Sequence, residues 1–189
     1  MSLQRTQEQE RAAAAWARII GCLAHVIEIV RSDVDALRHR VENHPNDNEG
    51  QRQLAARQRL LDRLRSEKGG RDWQNSFGSQ VKKLPMHVLA NGLGTALAFL
   101  KAKGGNDPSA EQEVLYRYIS QWVTAQLWGG SGDANLLSRI INSPDVNDYR
   151  RATREALAFV VWLKRFAEAE FDAKPELASE PQAVPTTTE

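Results

Sequence analysis

The chain has 189 residues, 41% hydrophobic and 26% charged, a balance that excludes an intrinsically disordered chain and allows a sizeable buried core. A single cysteine, Cys22, excludes an internal disulfide, and no run approaches the roughly 20 apolar residues of a membrane span. Net charge is only +1, yet residues 71–103 and residues 149–165 each hold five basic groups against one acidic, while 104–148 and 166–189 are acidic.

Taken in order, the opening MSLQRTQEQERAAAAW lacks a secretory apolar region, so a cytoplasmic protein is expected. A first helix is predicted from about Thr6 to Glu42. Trp16, Ile20, Leu23, Ile27, Val30, Val34, Leu37 and Val41 alternate by four and three, a heptad seam for lengthwise packing. Cys22 and His25 share a face, but no second ligand pair accompanies them, so no metal site is expected. ENHPNDNEG is turn chemistry, and Gln51 to Glu67 predicts a second helix that folds back on the first as a hairpin arm. This arm is rich in arginine (Arg52, Arg57, Arg59, Arg63, Arg65), and Gly69 and Gly70 are expected to end it.

From Arg71 to Gln80 the signals conflict, because Trp73, Phe77 and Val81 have helical spacing while Asn75, Ser76, Gly78 and Ser79 oppose a helix. A central helix is predicted over Val81–Lys103, with Pro85 in its first turn and Leu84, Val88, Leu89, Leu93, Ala96, Leu97 and Leu100 inward. Gly92 and Gly94 in mid-helix predict close approach of another helix. Asp107 and Pro108 read as the start of a fourth helix ending near Leu127, and WGGSGD reads as a loop without a phosphate-binding lysine. A short helix is predicted over Ala134–Asn142 and a last one over Val146–Phe171. On the last helix, Tyr149, Ala152, Thr153, Ala156, Leu157, Val160, Leu163 and Ala167 form an apolar arc, and Arg150, Arg151, Arg154, Lys164 and Arg165 a separate basic arc. Residues 174–189 are proline-rich and acidic and predict a disordered tail after a helical domain of residues 1–173.

Two blocks, NGLGTALAFLKAK at 91–103 and YRRATREALAFVVWLKRF at 149–166, resemble the small helical subunit of Cmr-type (type III-B) CRISPR RNA-silencing effector complexes. The resemblance weakens between Val41 and Trp73. It implies a subunit repeated along the effector beside its backbone and large subunits and neighbouring copies of itself, shaping the channel for guide and target RNA. Cleavage in that family belongs to other subunits.

No segment shows sustained period-two alternation, so the expected fold is all-α, a single-domain bundle of five to seven helices with a protruding N-terminal hairpin. His25, His39, His44 and His87 are scattered and no catalytic motif is present, so neither an enzyme nor a cofactor is expected. With the apolar arcs turned inward, Lys82, Lys83, Arg150, Arg151, Arg154, Lys164 and Arg165 are left outside, as expected of side chains that meet RNA phosphates. The rival reading is a stand-alone helical adaptor whose heptad seam and arm dock a protein and no RNA.

Overall fold

The structure is a computed structural model that describes residues 6–105, 107–129 and 135–172. Among these residues there are seven helices and no strand: α1 (Gln7–Asn43), α2 (Asn48–Arg65), α3 (Glu67–Asn91), α4 (Leu93–Gly104), α5 (Glu111–Trp128), α6 (Leu136–Asn142) and α7 (Val146–Phe171). The expected all-α bundle is therefore present, with the last helix at its predicted bounds. The tail expected over 174–189 lies outside the described residues, as do residues 130–134 of the loop after α5.

α1 opens with a capping box: Thr6 Oγ1 accepts from Gln9 N at 3.2 Å, and Gln9 Oε1 accepts from Thr6 N at 2.8 Å. Its buried stripe is Ala15, Ile19, Cys22, Val26, Val30 and Val34. The expected seam is thus displaced in the first half, where Trp16 is 40% and Ile20 50% exposed. In that half α1 lies along α7, with Ala15, Ile19 and Cys22 turned to the core and Trp16 edge-on to Phe166 at the margin. One 18-residue window of α1 has a mean hydropathy of 1.6, long and apolar enough to span a membrane, contrary to the expectation that no such run exists. Its buried stripe faces the protein core.

The joint between α2 and α3 is one residue. Ser66 ends α2 by donating to Arg63 O at 2.7 Å and starts α3 by accepting from Gly69 N at 3.1 Å. Gly69 and Gly70 therefore do not end the arm but form the first turn of α3, where a Cβ on Gly69 would collide with the Arg63 carbonyl. α3 then runs unbroken through the ambiguous stretch. Burying Trp73 and Phe77 contributes about 1.5–3 kcal/mol each, together more than the roughly 2.5–3 kcal/mol that Asn75, Ser76, Gly78 and Ser79 cost as a set.

The helix expected over Val81–Lys103 is in fact two. Pro85 sits inside α3, and the chain breaks at Gly92, whose φ of 81° and ψ of 160° are open only to glycine. Leu89, expected inward, is 68% exposed, because the inward stripe of α3 is Trp73, Phe77, Val81, Leu84 and Val88. The helix at the centre of the bundle is α5, buried at Val114, Leu115, Tyr116, Tyr118, Ile119, Trp122 and Val123 and enclosed by α3, α4, α6 and α7. It starts at Glu111, because Asp107 Oδ1 accepts from Ser109 N and Arg57 Nη1, both at 3.0 Å, and caps a turn before the helix.

Candidate nucleic-acid interface

α7 is held on two sides. α3 packs antiparallel to it: Phe171 lies against Gly78 at one end, and Tyr149 Oη accepts from Gly94 N at 3.2 Å at the other. The predicted meeting of the last helix with the Gly92–Gly94 region is therefore present, through a tyrosine hydroxyl. On the opposite flank, Arg11 of α1 reaches Glu155, with Nε–Oε1 at 2.8 Å and Nη2–Oε2 at 2.7 Å, and Trp122 Nε1 donates to Oε1 at 2.8 Å. Burial pushes the Glu155 carboxyl up, and the Arg11 and Trp122 hydrogen bonds overcome this and hold it below the usual carboxylate range. Trp162 Nε1 donates to Glu8 on the same flank.

These contacts fix which side of α7 meets solvent. Ala152, Ala156, Phe159, Val160, Leu163 and Ala167 are buried, and Arg150, Arg151, Arg154 and Arg165 are exposed with Lys164 half-buried. The predicted basic residues differ in their engagements. Arg151 has Asp148 at 3.8 Å, Lys164 has Glu168 at 3.7 Å, and the Arg165 guanidinium lies 5.5 Å from the Trp162 ring centre. Lys82, half-buried, clasps both Asp172 oxygens at 2.8 and 2.9 Å and ties α3 to the end of α7. Lys83 is exposed. Arg150, Arg154 and Lys83 have no ion-pair partner among the described residues.

The antiparallel register separates the candidates into two groups. Lys82 and Lys83 lie at the Lys164 end of α7, while Arg150, Arg151 and Arg154 lie at the Gly92 end, roughly 20 Å away at 1.5 Å per residue. Between the groups, α3 exposes Met86 and Leu89 and α7 exposes Val161. Sequence reasoning missed this apolar middle because it placed Leu89 inward, and the exposure of Met86 had no periodic signal. Among the described residues, no group of three or more His, Cys, Asp or Glu side chains could hold a metal.

A family model described as CRISPR-associated protein (Cas_Cmr5) matches residues 50–170 of this chain. The protein described as CRISPR system Cmr subunit Cmr5 from Thermus thermophilus is 30% identical over 112 residues, covering 59% of this chain and 89% of that relative. The match takes in α2 through nearly all of α7, including both outward basic segments and the glycine break between α3 and α4. By that extent, this chain belongs to the Cmr5 family of CRISPR-associated proteins.

Proposed function

We propose that this protein is a non-catalytic small subunit of a type III-B CRISPR effector, cytoplasmic, assembled beside the backbone and large subunits and neighbouring copies of itself. In this reading, its α3–α7 face lines the channel holding guide and target RNA, and the contacts are to phosphates, since pairing with the guide reads sequence. The carrying observation is the outward arc of α7, where Arg150 and Arg154 stand exposed without an ionic partner among the described residues. Isolated surface charges add little to stability, so their clustering is better accounted for by binding than by folding.

The apolar middle of the face, Met86 and Leu89, favours a second use, contact with an adjoining protein subunit on the same side. The two readings separate by salt dependence. In the assembled complex, target RNA is titrated across salt with Arg150→Ala/Arg154→Ala and with Lys83→Ala. Each phosphate contact removed lowers the slope of log K by roughly 0.7 for single-stranded RNA, so the double variant loses about 1.4. Normal assembly with the parental affinity and slope in both variants refutes the phosphate contacts. Defective assembly with an unchanged slope assigns the face to protein.

A further inference from the structure

The distal arm carries a surface that folding does not account for. From Asp35 to Leu60 no apolar side chain is fully buried, although α1 and α2 lie side by side throughout. Between them opens a groove of about 590 Å³. Its lining positions, 33, 36, 37 and 40 on one helix and 53, 56, 57 and 60 on the other, follow the three- and four-residue steps of a helix face. Leu37 and Leu60, half-buried, form an apolar floor, Ala36 and Ala56 stand exposed at its lips, and the Arg57–Asp33 contact at 3.6 Å lies beside the leucines.

Arg52, Arg59 and Arg63 run beside this groove on α2. At 100° per residue they fall within about 40° of one another. All three are exposed and none has a carboxylate partner among the described residues. Arg31, Arg38, Arg40 and Arg57 differ, since each reaches an acid, while Arg65, also exposed and unpaired among the described residues, points about 120° or more away from the three around α2. We propose that the arm groove docks one amphipathic helix of a partner protein, its apolar side on the leucine floor between the two alanine lips and its carboxylates over Arg52, Arg59 and Arg63.

Three observations select this occupant. Two alanines at the lips let an incoming backbone come close, and the groove presents helix-spaced positions on both walls, the geometry of helix-in-groove recognition. No aromatic ring lines it for base stacking, and phosphates would leave the apolar floor uncovered. A second copy docking through the same arm would set arginine against arginine. The proposal is independent of the RNA contacts assigned to α7.

The test places a photo-crosslinking residue at Ala56, on the exposed lip, in the full chain within the complex isolated from its host, with Ala102 on the outer side of α4 as control position. The expected product is a peptide of another protein with apolar residues at helical spacing and at least two carboxylates beside them. Arg59→Glu/Arg63→Glu lowers that crosslink by about tenfold, Arg59→Gln/Arg63→Gln lowers it less, and lysines in place of the mapped carboxylates restore it to the charge-reversed protein. Both variants change exposed, unpaired positions; because Arg63 lies in the last turn of α2, the charge reversal lowers the melt by about 2–4 °C, while the glutamine variant leaves it nearly in place. Crosslinks to RNA, to a second copy, to residues 173–189 of the same chain, or none above the Ala102 control overturn the proposal, as does an unchanged crosslink after charge reversal. Arg150→Ala/Arg154→Ala keeps the crosslink whatever it does to RNA binding, so the two readings fail separately.

Discussion

Replacing Glu155 by glutamine tests the assignment of the α1–α7 contact as an ion pair that the fold cannot lose cheaply. The carboxylate side chain is 6% exposed and the Arg11 side chain 15%. Glutamine keeps the shape and can still accept from Trp122, but it cannot meet Arg11 through two charge-assisted bonds. Hydrogen bonds to charged groups contribute about 1.5–3 kcal/mol each, and stranding one member of a buried pair costs about 3–5 kcal/mol. Arg11 retains Glu8 at 3.0 Å, which offsets part of that, so the expected loss is about 3 kcal/mol. For a chain of this size that lowers the melting temperature by about 6–12 °C. Replacing both partners, as Arg11→Met/Glu155→Met, recovers much of the loss, because two desolvated charges leave together. The pH dependence carries the same sign. The native carboxyl lies below its ordinary value of 4.5, so its stabilisation is complete above that value and drains as pH falls through the native one. Glu155→Gln lacks this acid limb. Thermal and denaturant melts of the parent, Glu155→Gln and Arg11→Met/Glu155→Met proteins, at pH 7 and down to pH 3, measure these differences. A loss below about 1 kcal/mol for Glu155→Gln, equal at all pH values, refutes the reasoning.

Two further outcomes are expected. Gly92→Ala forces a Cβ into a backbone region reserved for glycine and to 2.9 Å from Tyr149 Oη, so it lowers stability by about 1–3 kcal/mol, whereas Gly94→Ala, with nothing nearer than 3.8 Å, is neutral or stabilising. Equal denaturation midpoints for the two variants would disprove the helix break. Burial pushes the Cys22 thiol up to about 12, so the native protein at pH 8 resists a thiol-reactive dye that labels it fully in denaturant, and rapid labelling of the folded chain contradicts that burial.

The periodic part of this protein is legible in the order of its residues. The 3.6-residue repeat excluded strands, the two-sided pattern of α7 predicted its bounds and the outward placement of its arginines, and the Asn-Gly-Leu-Gly and Tyr-Arg-Arg blocks carried the family resemblance. Those features are local, since helical spacing and charge need no partner to be read. Tertiary packing decided the rest. Whether Gly92 is a close contact or a break depends on φ, which the neighbouring Tyr149 and the separate paths of α3 and α4 settle. Whether Ile19 or Ile20 is inward depends on how the rest of the bundle meets α1, because a wide apolar face fits several registers and only the space beside it selects one. Lys82 read as one of seven equivalent cations until Asp172, 90 residues away in sequence, proved to be its partner. Local propensity likewise opposed a helix at Asn75–Ser79. The burial of Trp73 against Ser109 and of Phe77 against Tyr118 outweighed it, and that gain exists only once α5 is in place.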